Sequence, residues 1–80
     1  MIIIPTKTFY NLDKEKKKRI IDIAIDEFSK ENYYKVSVNQ IVKKANISKG
    51  SFYQYFRDKK DLFKYIVSII SEKKMNYINQ

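Results

Sequence analysis

The sequence of 80 residues contains no cysteine, histidine or tryptophan, and only one glycine and one proline. Disulfides, a thiolate or imidazole zinc site, and catalysis by cysteine or histidine are therefore excluded. A chain of this length buries only about 60% of the surface that it exposes when unfolded, which leaves little room for an enclosed active site. We expect one small binding domain, without cofactor or metal, rather than an enzyme.

Long apolar runs are also missing. The longest stretches without a charged residue span seven residues, against the roughly 20 apolar residues of a membrane span. Residues 1–4 are apolar, but they are few, follow no basic leader and are stopped by Pro5, which is not typical of a secretory signal. We expect a cytoplasmic protein that does not contact membranes.

Positive charge is abundant and unevenly distributed. The 17 Lys and Arg residues exceed the 9 Asp and Glu residues, giving a net charge of +8 and a sequence pI near 9.7. Residues 20–34 carry four acids and one lysine, whereas residues 35–60 carry seven cations and one aspartate. This excess favours a polyanionic partner that binds the middle of the chain.

Apolar residues recur mostly at helical spacing, and the shortage of Gly and Pro leaves few hairpin turns, so we predict an all-α domain. After an N-terminal arm of residues 1–12, Asn11 or Asp13 caps a first helix that runs to about Glu31. Asn32 is expected to end this helix in the left-handed conformation. The residues predicted to face the core from this helix are Ile21, Ala24, Ile25 and Phe28.

Two short helices follow. Ser37 opens a capping box and a second helix of residues 38–44. Asn46 is a second candidate for a left-handed turn, and Ser48 then caps a third helix that ends near Phe56. Two short helices joined by about three residues are typical of a helix-turn-helix unit, in which the second helix enters the major groove of DNA.

A fourth helix begins after Asp58 and runs to about Asn76. It is apolar nearly all round between Leu62 and Ile70. We predict that one set of its apolar residues packs on the preceding helices: Leu62, Ile66 and Ile69. A second set would remain wet unless another protein surface covered it: Phe63, Val67 and Ile70.

The third helix has two unlike faces. At 100° per residue, Phe52 and Phe56 point into the core. The opposite face is small or hydrogen-bonding and consists of Gly50, Ser51 and Gln54, flanked by Tyr53 and Tyr55. Glycine allows close approach to DNA, glutamine can pair with adenine, and tyrosine hydroxyls can donate to phosphates. A glycine that is merely tolerated in the first turn of the helix, a solvated glutamine and half-buried tyrosines remain alternative interpretations.

The most specific segment is the block ISKGSFYQYF at residues 47–56, followed by Lys59 and Leu62. Before it, the distinctive residues are Ile20, Ala24, Phe28, Tyr33, Ser37, Val38 and Ile41. Together, residues 19–63 resemble the DNA-binding domain of the TetR family of bacterial transcriptional repressors. Asn32 and Asn46 stand where that family usually has glycine.

The resemblance implies a homeodomain-like three-helix bundle in residues 13–61 and a homodimer that binds a palindromic operator. It also implies that the fourth helix, residues 62–80, leads to a C-terminal domain that is absent from this chain and that binds a small effector and dimerises. Geometry and resemblance together predict contacts with double-stranded DNA at ten positions: Ser37, Asn39, Ser48, Lys49, Gly50, Ser51, Tyr53, Gln54, Tyr55 and Lys59.

An alternative function is a small helical protein-interaction module that uses the apolar fourth helix, with a basic patch that only aids solubility. Specific binding to a duplex at physiological salt would separate the two, because a merely basic surface loses nearly all its affinity there. Membrane binding is disfavoured because the basic residues lie over a turn between helices rather than along one amphipathic face.

Overall fold

The structure, a computed structural model, describes the backbone of residues 5–78 and the side chains of residues 5–72. Within this range the chain is helical and has no strand, which confirms the all-α fold class. A short 3-10 turn, Tyr33–Lys35, lies between the second and third of five helices. The helices are α1 (Lys7–Tyr10), α2 (Lys14–Lys30), α3 (Val38–Ala45), α4 (Lys49–Tyr55) and α5 (Lys59–Ile78).

Two of the sequence predictions concern residues that the structure does not describe. Residues 1–4, the start of the expected arm and the segment considered as a leader, are not described. The remainder of the arm is not extended, because residues 7–10 form α1. None of the helices in residues 5–78 is long and apolar enough to cross a membrane.

The helix α2 begins and ends through local hydrogen bonding. Asp13 caps its start, where the carboxylate accepts from the backbone N–H of Lys16 at 2.9 Å. The prediction that Asn32 adopts the left-handed conformation is wrong, since its φ is −56°. Glu31, with φ −122° and ψ 151°, has already turned the chain out of the helix. Asn32 instead accepts from the N–H of Tyr34 at 3.0 Å and starts the 3-10 turn.

The turn between α3 and α4 has the predicted left-handed residue. Asn46 has φ 58° and ψ 46°. The N–H of the following Ile47 donates to the carbonyl of Val42 at 3.0 Å, which is the hydrogen bond of a Schellman motif. From α2, the Arg19 Nε donates to the carbonyl of Ala45 at 3.1 Å. These contacts fix the angle at which α4 leaves α3.

The core lies where α2, α3, α4 and α5 meet. Four predicted core residues are almost completely buried, namely Phe52, Phe56, Leu62 and Ile66, and Ile41 of α3 is buried with them. In α2 the predicted core residue Ala24 is fully buried, and Ile20, rather than the predicted Ile21, is buried beside it. The other predicted α2 residues are only partly buried against this core: Ile21, Ile25 and Phe28.

Phe9 anchors α1 in the same core, which the sequence did not predict. Its side chain has no exposed area. Its ring centroid lies 5.2 Å from that of Phe56, 5.7 Å from that of Tyr65 and 5.8 Å from that of Tyr55. The N-terminal segment is therefore part of the folded domain from residue 5 onwards.

The helix α5 leaves part of its apolar surface uncovered, as predicted. Val67 and Ile70 are 43% and 45% exposed. Phe63 was predicted to remain exposed, but its ring packs edge-on against two other rings. Its ring centroid lies 5.1 Å from that of Phe28 and 5.0 Å from that of Tyr33. The 3-10 turn brings Tyr33 over α5 and so covers Phe63.

Candidate nucleic-acid interface

The helix α4 has one buried side and one exposed side. Phe52 and Tyr55 are 0% and 3% exposed. The exposed residues are Lys49, Gly50, Tyr53 and Gln54, and at 100° per residue they cover a continuous arc of about 140°. Ser51, at the margin of this arc, is partly buried. The helix α4 thus exposes small and polar groups on one side and buries aromatic side chains on the other.

Tyr55 lies in the core, which corrects its assignment as a DNA contact. Its exposed fraction is 3%, and its ring lies edge-on to Phe9. Helical geometry places position 55 on the same side as Phe52. The sequence alone did not reveal that α1 closes over this side of the helix.

Tyr53 and Gln54 are positioned as predicted. Tyr53 is 48% exposed, and its ring packs edge-on against Phe52 with centroids 5.2 Å apart. The ring is thus held by the protein while part of the side chain faces solvent. The side chain of Gln54 is exposed. Whether either residue contacts DNA remains a prediction.

Gly50 is not required by anything inside the described structure. A Cβ built on it would meet only the Ser48 hydroxyl, at 3.9 Å, which is ordinary van der Waals distance. Its backbone φ is not positive. Since glycine weakens a helix relative to alanine, the structure gives no internal reason for glycine at this position.

The serines at the helix starts have internal hydrogen bonds. The Ser37 hydroxyl accepts from the N–H of Gln40 at 3.3 Å, and Asn39 beside it is exposed. The Ser48 hydroxyl accepts from the N–H of Ser51 at 3.0 Å and donates to the Ser51 hydroxyl at 2.9 Å. Capping therefore accounts for Ser37 and Ser48 at the starts of α3 and α4. Their contacts with DNA remain predictions.

Lys59 is held by the protein rather than extended into solvent. Its Nζ donates to the carbonyl of Tyr33 at 2.9 Å and to that of Val36 at 3.1 Å, and lies 4.5 Å from the centroid of the Tyr33 ring. These contacts tie the start of α5 to the segment that leads into α3. They use two of the three N–H donors of the ammonium group. One donor of Lys59 is therefore left for the predicted contact with DNA.

Two of the seven cations between residues 35 and 60 are paired within the domain. Lys44 contacts Glu27 at 3.1 Å, and Arg57 contacts Asp61 at 2.7 Å. The hydrogen bond from Arg57 lowers the pKa of the Asp61 carboxyl. Four other lysines of this segment are exposed: Lys35, Lys43, Lys49 and Lys60. The basic surface therefore persists after internal pairing.

Sequence reasoning missed the residue that holds the far end of α4. The Thr6 hydroxyl donates to the carbonyl of Gln54 at 2.6 Å, and the Thr6 N–H donates to the carbonyl of Tyr55 at 3.1 Å. The partners are 48 residues apart in sequence. Spacing and periodicity report only local neighbours, so neither contained a signal for this contact.

The fold and this surface define a helix-turn-helix domain, in which α3 and α4 are joined by the Asn46 turn. A family model described as bacterial regulatory proteins, tetR family, matches residues 20–66. The chain therefore belongs to the TetR family.

Known relatives agree with this assignment. The chain is 47% identical over 49 residues to the uncharacterized HTH-type transcriptional regulator YuxN of Bacillus subtilis, and this match covers 61% of the chain and 17% of that protein. It is 39% identical over 54 residues to an HTH-type transcriptional regulator of Staphylococcus aureus, covering 68% of the chain and 29% of that protein. The chain thus aligns with less than a third of either relative.

A solved structure extends the likeness to nearly the whole chain. The crystal structure of a TetR family transcriptional regulator from Chloroflexus aurantiacus superimposes with a TM-score of 0.91 and is 47% identical. The match covers 98% of this chain and 36% of that one.

Proposed function

We propose that the chain binds double-stranded DNA in a sequence-specific manner, as the operator-reading part of a TetR-like transcriptional repressor. The observation that carries this proposal is the division of α4 into a buried aromatic side and an exposed side with small and hydrogen-bonding residues. An α-helix with its side chains is about 10–12 Å across, which fits a major groove about 12 Å wide.

The exposed residues of α4 divide into two proposed tasks, base reading and phosphate contact. Gly50 lets the backbone approach the base edges, and Gln54 reads adenine through a bidentate hydrogen bond. Lys49 and Tyr53 contact phosphates and set the register. Ser51 lies at the edge of the reading face. Further phosphate contacts are proposed for residues at or near helix starts: Ser37, Asn39, Ser48 and the remaining donor of Lys59.

We further propose a cytoplasmic homodimer on a palindromic operator. The length of the relatives supports a further domain beyond this one, because each relative is much longer than the matched segment. The division proposed is a helix-turn-helix domain in residues 13–61, with α1 packed on it, and an α5 that leads towards a domain for effector binding and dimerisation. Two copies of α4 would then meet half-sites about 34 Å apart on one face of the duplex.

Selection of duplexes from a random pool at physiological salt tests the function. We expect an enriched palindromic consensus for the wild-type protein. Gln54→Ala should relax the preference at one base pair per half-site, which is worth about 1–3 kcal/mol of discrimination. Asn11→Ala removes an exposed amide outside α4 and should leave the consensus unchanged. An identical consensus from the Gln54→Ala protein would contradict the reading role of Gln54.

The exposed apolar surface of α5 supports the second candidate, a protein-interaction module. Val67 and Ile70 remain about half exposed although the core is close by. If no duplex is enriched at physiological salt, and a double change of these residues to glutamate abolishes self-association, the interaction function replaces DNA binding. If duplexes are enriched, the α5 surface serves only to assemble the DNA-binding protein.

A further inference from the structure

The C-terminal end of α4 is completed by a distant part of the chain. The last carbonyls of a helix have no partner within that helix. In α4 two of these carbonyls, those of Gln54 and Tyr55, accept from the hydroxyl and the backbone N–H of Thr6. One residue therefore supplies both donors, and it does so from outside residues 20–66, the part of the chain that matches the family model.

The donor residue is itself held firmly. Pro5 and Phe9, on either side of Thr6, are among the fully buried side chains. Phe9 reaches both α4 and α5, because its ring contacts Tyr55, Phe56 and Tyr65. Thr6 thus lies between two buried anchors, and its position relative to α4 is fixed.

We propose that residues 5–10, which we call the N-terminal strap, position α4 for base reading, with Thr6 as the positioning residue. The proposal rests on the proposed function. Its physical basis is that the Thr6 hydroxyl binds the backbone carbonyl of Gln54, the residue assigned to read a base. A base contact requires the side chain within a few tenths of an ångström, so fraying of the last turn of α4 reduces discrimination.

Amide hydrogen exchange on the free protein tests whether the strap holds α4. Thr6→Val removes the hydroxyl and keeps the shape. Loss of one hydrogen bond should lower protection at the amides of Tyr55 and Phe56 about threefold to tenfold, while Ile41 in α3 keeps its protection. Thr6→Ser should restore protection. Thr8→Val, a change at an exposed position of α1, is the matched control.

Two outcomes of this measurement would overturn the strap. Unchanged protection in Thr6→Val would show that the hydroxyl does not hold the helix. An equal loss of protection at all three amides would show a general change in stability rather than a local hold on α4.

Coupling between substitutions tests the link to base reading. Thr6→Val should reduce discrimination at the base pair read by Gln54 about threefold to tenfold. The same change should have no further effect in a Gln54→Ala background, but its full effect in a Lys49→Ala background, because Lys49 lies at the other end of α4. The same loss in both backgrounds would refute positioning through Gln54.

The two proposals fail in different ways. If the wild-type protein selects no duplex, the proposed DNA binding and the base-reading part of the strap proposal are both wrong. Amide exchange then still decides whether the strap holds α4. A wild-type protein that selects a duplex, with a Thr6→Val variant that exchanges and discriminates normally, removes the strap alone.

Discussion

At the scale of single residues, Gly50 distinguishes best between folding and function. A residue needed for folding would show a clash or a left-handed backbone, and Gly50 shows neither. It lies instead in the middle of the exposed arc of α4. Gly50 therefore lowers the stability of the helix and makes no compensating contact within the described part of the protein. This combination is typical of positions that contact a partner.

Gly50→Ala should consequently separate stability from binding. The added methyl fits without moving the protein, so the free energy of unfolding should rise by about 0.5 kcal/mol, measured by urea denaturation. Affinity for the selected duplex should fall about tenfold, because the methyl would overpack the interface. Ser71→Ala, at an exposed position of α5, should change neither strongly. A stabilised variant that binds normally would show that no DNA approaches Gly50.

At the scale of elements, local sequence signals identified helix starts better than helix ends. Ser37 and Ser48 cap the helices they were predicted to cap, because capping depends on residues three apart. Of the two asparagines predicted to be left-handed, only Asn46 is. Asn32 follows a residue that has already left the helix, and its side chain can bond locally instead. Composition cannot distinguish these two uses of asparagine.

The start of α5 has a paired acid that makes stability depend on pH. Asp58 accepts from the N–H of Asp61 at 2.9 Å, and the carboxylate of Asp61 accepts from the Nε of Arg57 at 2.7 Å. Arg57 also holds the pKa of Asp61 below its ordinary value. A carboxyl group with a lowered pKa in the folded state stabilises the protein above its unfolded pKa and loses that contribution as pH falls.

Asp61→Asn should therefore lower the free energy of unfolding at pH 7 by about 1 kcal/mol, a modest value because Arg57 is half exposed. The difference from wild type should begin to shrink below about pH 4, where the Asp61 carboxyl of the unfolded chain starts to bind a proton, and should shrink further as the pH falls towards the lower pKa of the folded state. Urea denaturation between pH 7 and pH 3 measures both. Asp22→Asn, at an exposed ion pair, is the control. A difference that stays constant to pH 3 would show that the Asp61 charge contributes nothing.

At the scale of the whole molecule, the sequence predicted the helices α2 to α5, most of the core and the opposed faces of α4, but not α1. It placed Tyr55 wrongly, and it did not show that Lys59 is held by backbone carbonyls, because the surroundings of both residues come from distant segments, Phe9 in one case and the 3-10 turn in the other. The strap was invisible for the same reason, since 48 residues separate its donor from its acceptor. Periodicity describes the face of a helix, but not which remote element covers it.

With a net charge of +8, the proposed duplex binding should depend on salt, and the structure distinguishes lysines that are exposed from lysines that are paired. Lys49 is exposed at the start of α4, whereas Lys18 on α2 is paired with Asp22 at 2.8 Å. Lys49→Ala should weaken binding to all duplexes alike and reduce the slope of log affinity against log salt by about 1. Lys18→Ala should leave the slope unchanged. Affinities between 50 and 200 mM salt measure this slope, and equal slopes for both variants would remove Lys49 from the phosphate contacts.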